Sequence, residues 1–496
     1  MFTQNWRQHW GLREDPFACE DADKDQILTD VDPSAVHSGF DRIFGNPRVP
    51  SPGIVFGEKG SGKTGIRLMM RRWLGGFNER HPDEKVFCVE YVDFDSAIER
   101  LQRATNVRGG AEKAANKVLK EWQTSDHLDA ILSLGVTRLV DELLNGEASA
   151  KGLSPKQRVD LMLLTVLYYE SSHRSVGDAL AGVRHAVRAS SGRMAGVRFG
   201  QIVGSLLCVA IALLPHLVQV ELGPAQMWYG IGGGLLALLW GYAGFAKFRV
   251  VTQAQRAARA VRTLDRAPAL LADVLFSLKP SARKDYTLPA ATDSATRYEL
   301  LGHVSGILGS VGYHGWYVLM DRVDEPSLLS GNDERMRAFV ASILDIKILQ
   351  FPNLALKLFL PIEMESLYRN ATAEELKRMR LDKSNLIPEL KWTGRELYEI
   401  ANQRLTACLE SEAPVESLMD LFEEGFDGQH LRETLTTLGT PRYAFGFLSA
   451  LFLEHVRDLP NDMAPDDPRW RCSRSQFDVV RASWIDRTGI LRRSLN

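Results

Sequence analysis

The chain has 496 residues, with 60 Lys and Arg against 62 Asp and Glu, enough for two to four domains and a large core. The even charge leaves no overall footprint for nucleic acid. Five scattered cysteines (Cys19, Cys88, Cys208, Cys408, Cys472) exclude C-x-x-C zinc spacing and a disulfide framework, and the first residues lack the basic-then-apolar plan of a signal peptide.

Residues 1–50 read as an irregular N-terminal lead-in rich in Trp, Asp and Pro. A short strand at 53–56 runs into Gly57-Glu58-Lys59-Gly60-Ser61-Gly62-Lys63-Thr64, and 65–74 reads as the helix that follows. A second strand is expected at 86–94, so 51–95 forms the first part of a core. Residues 96–197 read as a helical insertion, with one helix entered at Ser154-Pro155.

Two stretches of about twenty residues, 199–218 and 228–246, contain no Asp, Glu, Lys or Arg. At 1.5 Å rise per residue each spans a bilayer core, which predicts a transmembrane hairpin over 198–248. Arg184, Arg188, Arg193 and Arg198 precede it; Lys247, Arg249, Arg256, Arg259, Arg262 and Arg266 follow it. The connector carries Glu221 and no basic residue. The positive-inside rule then puts both termini and the core in the cytoplasm, with two passes through the inner membrane. Gly196, Gly200 and Gly204, with Gly230 and Gly234, offer small faces for close helix packing.

Residues 249–297 read as a helical return segment and 298–385 as the second part of the core, with strands at 316–320 and 354–360. Residues 386–496 read as a helical lid. Strands alternating with helices predict an α/β fold around a parallel sheet.

The segment Gly57 to Thr64 fits G-x-x-x-x-G-K-[ST] in full, between a strand and a helix. Its glycines let backbone N–H groups wrap a phosphate, and the helix start presents positive charge to it. Gly57, Glu58, Lys59, Gly60, Ser61, Gly62, Lys63, Thr64 and Gly65 are therefore the expected nucleotide-binding residues for ATP, with GTP not excluded by any base-reading motif. Lys63 would reach the β/γ-phosphates and Thr64 would sit on Mg²⁺. The second half of such a site is a carboxylate at a strand end. Asp321-Arg322-Val323-Asp324-Glu325 supplies it: Asp321 as the Mg²⁺ partner, and Asp324 or Glu325 as the group that polarises water.

A glycine loop, an apolar hairpin inserted before the acidic strand and a helical tail together resemble the KAP family of P-loop ATPases, in the STAND branch of AAA+-like proteins. The acidic motif is similar to the STAND pattern, with Arg322 where a small residue is usual. Trp10 to Phe17 resembles the aromatic lead-in of secretion-type AAA ATPases. Leu438-Gly439-Thr440-Pro441-Arg442 resembles a G-x-P-R segment in which the arginine senses the γ-phosphate; the resemblance gives that role to Arg442. It implies a membrane-anchored ATPase acting as a conformational switch in bacterial signalling or anti-phage defence, with a protein partner or self-association. The rival readings are a motor or loader ATPase of an envelope assembly system, and a nucleotide-sensing scaffold with negligible turnover.

Glu363 stands where a polar sensor could follow a strand, and Arg369, Arg378 and Arg380 could include a finger to a neighbouring subunit; a solvated strand end explains the first more simply and a solvated amphipathic helix the others. His173, His185, His303 and His314 show no paired ligand spacing.

Overall fold

Four apolar runs become the strands of one sheet because each is buried on both faces, the condition that lets parallel strands read as unbroken hydrophobic stretches. They are β1 (Gly53–Gly57), β2 (Lys85–Tyr91), β3 (Tyr313–Met320) and β4 (Leu354–Pro361). A fifth, β5 (Leu386–Ile387), is two residues long. In this computed structural model the order is β2-β3-β4-β1-β5, with β1 parallel to β4 and β5, and β3 parallel to β4. Residues 4–18, 21–29, 37–105, 111–188, 192–214, 224–291, 293–369, 372–378, 385–460 and 463–494 are described. The protein is thus α/β with a five-stranded parallel sheet and many helices.

The chain divides into two compact units, one made of 1–93 and 314–496, the other of 94–313. These bounds differ from those expected. The helix Ala295–Ser310, assigned above to the second part of the core, belongs to the second unit. The proposed lid start at 386 falls inside the sheet, on β5; two residues are too few to show periodicity.

In the first unit, residues 1–50 are less irregular than expected. Gln4–Trp10 and Phe40–Phe44 are helical, and Trp6, Trp10, Leu12 and Phe17 are buried in the same core as Phe447, Leu451 and Phe452. Arg404 on the helix Gly394–Ala407 ties this lead-in down: its Nε donates to the Pro16 carbonyl at 2.8 Å and its guanidinium pairs with Asp25.

The second unit is helical. The start at Ser154-Pro155 is as expected, with a capping box between Ser154 and Gln157 on the helix Pro155–Tyr168. Buried Arg297 donates to both carboxylate oxygens of buried Asp129, at 3.1 and 3.2 Å. Helices Gly192–Ala212 and Ala225–Ala260 pack on each other. Gly204 lies against Leu239, and a methyl on Gly232 would meet the Cys208 carbonyl at 2.6 Å, whereas Gly200, Gly230 and Gly234 face open space. The small-residue contact therefore uses Gly204 and Gly232 rather than Gly200, Gly230 and Gly234. Residues 215–218 of the first apolar stretch and most of the connector, Glu221 included, lie outside the described residues. Among the described residues one helix, 226–260, is long and apolar enough to cross a membrane; 199–212 is a shorter apolar helix.

Candidate functional site

The β3–β4, β4–β1 and β1–β5 pairings are parallel, so these four strands present their carboxyl ends along one edge, where ligands of open α/β sheets bind. At that edge β1 leaves through the glycine loop into the helix Lys63–Arg80. Gly60 and Gly62 take φ of 84° and 91°, left-handed values that only glycine adopts cheaply. No side chain caps this helix, so its first N–H groups are aimed into the loop without an intrahelical acceptor. The Ser61 hydroxyl is buried and has no hydrogen-bond partner among the described residues.

The loop is held from outside by the end of the chain. Trp392 Nε1 donates to the Ser61 carbonyl at 2.6 Å, and a methyl on Gly62 would lie 3.2 Å from the Trp392 ring and 3.3 Å from Pro441. Arg442 lies across Gly60: its backbone N–H points to the Gly60 carbonyl at 3.4 Å, and a methyl there would meet Arg442 Cβ at 2.9 Å. Local chemistry explains its position. Gly439 ends one helix at φ 72°, Thr440 caps the next by accepting from Tyr443 N–H, and Pro441 opens it.

Lys63 donates to the carbonyls of Gly57 (2.7 Å) and Glu58 (3.0 Å). Burial pushes its ammonium below the usual lysine range; Asp321, Asp324 and Glu363 oppose that shift and Arg442 adds to it. The four charges that face Lys63 thus come from the turn after β3, the turn after β4 and the C-terminal helices, far from Lys63 in sequence.

β3 is two strands from β1, roughly 10 Å at ordinary spacing, yet the two ends meet. Thr64 Oγ1 donates to Asp321 Oδ2 at 2.8 Å. Arg67, one turn further along the helix, donates to the same oxygen at 3.2 Å and also pairs with Asp23 (2.7 Å) and Glu90. Burial raises the Asp321 carboxyl above its usual range, against the pull of Arg67 and the Thr64 hydroxyl. Arg322 follows at φ 65°, an uncommon conformation for a side chain of its size, with its guanidinium on Asp23 and 3.5 Å from Glu325.

No protein-family model, curated protein or solved structure matches this chain.

The residues expected to act together are therefore largely neighbours: Gly57 to Gly65, Asp321, Asp324 and Arg442 surround Lys63. Glu325 is different. Its side chain is 58% exposed and turned to Arg322, and it is not among the largest charge effects on Lys63. Glu363, expected to be a solvated strand end, is exposed but close enough for its charge to reach Lys63. Arg369 pairs with Glu365 on the surface; the Arg378 side chain and Arg380 lie outside the described residues. His303 sits 3.6 Å from Asp160, and His314 bonds the Arg48 carbonyl.

Sequence reasoning did not find Arg67, Asp23, Glu90 or Trp392. For Arg67 a signal existed: it stands three residues after Thr64, on the same helix face. Among the described residues no cluster of three or more His, Cys, Asp or Glu could hold a metal. A hydroxyl and one carboxylate sharing a hydrogen bond is a different donor set, two hard oxygens suited to Mg²⁺ that keeps most of its water.

Proposed function

We propose that the first unit is a P-loop ATPase core, with the helices after β5 as its lid, anchored in the inner membrane by the helical hairpin of the second unit. The observation that carries this reading is the convergence of Lys63, Thr64, Asp321, Asp324 and Arg442 on one glycine loop from three separate chain segments.

The loop N–H groups and Lys63 would bind the β- and γ-phosphates of ATP. Thr64 and Asp321 would hold Mg²⁺, which supplies charge neutralisation across those phosphates. Asp324 would orient the attacking water and accept its proton, with the γ-phosphoryl group leaving as phosphate and ADP remaining. Arg442, already on Gly60, would sense the γ-phosphate, so its loss would free the lid helix Pro441–Arg457. This makes ATP state a conformational switch; by family resemblance its setting is bacterial signalling or anti-phage defence.

The membrane part of the reading is supported by exposure. Sixteen of the nineteen large hydrophobics exposed among the described residues lie between Phe199 and Phe248, a patch far larger than a soluble monomer tolerates.

A second reading, a nucleotide sensor with negligible turnover, is favoured by one observation: Arg67 already occupies the Asp321 oxygen that Thr64 uses. Phosphate release by the detergent-solubilised full chain, with and without Lys63→Ala, tests the first reading. ATP-dependent release that falls about 100-fold or more in the variant supports it; an unchanged rate overturns it. Tight ATP binding with no release in a single-turnover assay selects the sensor.

A further inference from the structure

The helix Ala225–Ala260 is about 54 Å long at 1.5 Å per residue, while a bilayer core needs only about 30 Å. Its last fourteen residues, after Ala246, therefore project beyond the apolar stretch. Around this projection the second unit forms an open groove of about 1750 Å³, bounded by residues 239–260 and 273–291. Six cations line it, Lys247, Arg249, Arg256, Arg259, Arg283 and Lys284, against one carboxylate, Asp273.

None of these six forms an ion pair among the described residues. That contrasts with the next two arginines along the chain. Arg262 pairs with buried Asp126, and Arg266 donates to the Tyr169 carbonyl, so both serve the fold. Two of the groove cations, Arg249 and Arg283, are instead braced by rings or carbonyls. Arg249 lies 5.9 Å over Phe245; Arg283 lies 5.7 Å over Phe276 and donates to the Leu275 carbonyl at 2.8 Å. The same groove is lined by Trp240, Phe245 and Phe248, each more than half exposed. One surface thus passes from an aromatic, apolar end to a cationic one.

We propose that this groove binds the headgroup phosphate of an anionic phospholipid, with the acyl chains lying along the exposed face of 231–248. The proposal rests on the membrane reading above. Charge complementarity selects the occupant: a phosphodiester supplies the anion that six unpaired cations need, and its attached chains cover the aromatic end. A soluble phosphate would satisfy only the first, and a nucleic acid would leave the exposed aliphatic residues in water.

The test uses the full chain, extracted in mild detergent and reconstituted into nanodiscs of equal parts phosphatidylcholine and phosphatidylglycerol. Lipid retained on the protein is then read by native mass spectrometry. Wild type is expected to retain phosphatidylglycerol in excess over phosphatidylcholine. Lys247→Gln/Arg249→Gln/Arg256→Gln, all at exposed positions, is expected to cut that preference at least about tenfold. Arg256→Gln/Arg259→Gln, which leaves the charges next to the apolar stretch in place, is expected to cut it by a smaller factor. Lys120→Gln/Lys151→Gln/Lys156→Gln, the same charge change outside the groove, is expected to leave it intact. Equal retention of the two lipids by wild type overturns the inference, as does an equal loss in the control, or displacement of the lipid by millimolar inorganic phosphate or an oligonucleotide. Washing of membranes with alkaline carbonate separates the two levels. Wild type that stays with the membrane but shows no lipid preference sinks the groove alone, and wild type that washes off sinks the membrane reading with it.

Discussion

A positive charge taken out of water is treated in two opposite ways: buried Arg67 and Arg404 of the sheet unit pair with carboxylates as Arg297 of the helical unit does, whereas two lysines of the sheet unit rest on carbonyls. In the helical unit, Arg297 is wholly buried and meets Asp129 through two hydrogen bonds, with further donation to the carbonyls of Ala260 and Ala291. In the sheet unit, half-buried Lys63 and buried Lys357 have carbonyls as their hydrogen-bond acceptors: Gly57 and Glu58 for the first, Ile43 for the second at 2.6 Å. A cation matched to a carboxylate in low dielectric is finished structure. A cation left on neutral acceptors has two ways to lower its energy, by shedding a proton or by meeting an anion. Lys357, on the central strand β4 beside the Tyr317 ring, takes the first: burial pulls it down to about 7. Lys63, at the edge with an uncapped helix start beside it, is placed for the second.

This contrast can be broken in several places. The largest effect is expected in the helical unit: Arg297→Ala strands the Asp129 carboxylate and should cost about 3–5 kcal/mol, read as a lowered denaturation midpoint of the purified protein. A change below about 1 kcal/mol would mean that the pair is not what orders these helices.

At the sheet edge, Asp324→Asn should lower ATP hydrolysis about 100-fold with little change in ATP affinity, since the residue faces Lys63 without being the Mg²⁺ partner. Steady-state phosphate release alongside a nucleotide-binding isotherm separates the two quantities.

Lys357 gives a pH signature of known sign. Its pKa is lower in the folded state than in the unfolded one, so between pH 7 and its unfolded value the unfolded chain binds the extra proton. Stability contributed by this group therefore rises with pH across that window and is flat below it. Relative to Lys357→Met, wild type should gain roughly 2–3 kcal/mol from pH 7 to 9; parallel curves for the two proteins would show that the lysine stays charged in the fold. The smallest effect belongs to Glu325→Gln. Exposed and turned to Arg322, it should change hydrolysis less than about threefold, and a loss as large as that of Asp324→Asn would reassign the water-orienting role.

Much of this was legible before any coordinates. β1 is an unbroken apolar run and β4 is one interrupted only by Lys357, Ser154-Pro155 carries its own capping box, and Gly439-Thr440-Pro441 spells a helix stop and a helix start. The glycine loop is readable because its chemistry is local: backbone that must turn left-handed needs glycine at Gly60 and Gly62. Other features were not readable, for definite reasons. β5 is too short to show a period, and the helix Gln4–Trp10 is held by burial of Trp6 and Trp10 in a core supplied from the far end of the chain. Arg67 looks like any helix-surface arginine until three carboxylates from three segments close on it.

By itself, then, the sequence determined the elements whose causes lie within a few residues: strands, caps, the glycine turn and the long apolar helix. Only the tertiary structure decided which charges meet. It put Asp324 before Lys63 and turned Glu325 to Arg322, gave Arg67 to Asp321, laid Arg442 over Gly60, and left six cations of one groove without an ion pair among the described residues. The reason is physical: secondary structure follows from short-range sterics and periodicity, whereas electrostatic partnership depends on distance in space, which the order of residues along a chain does not contain.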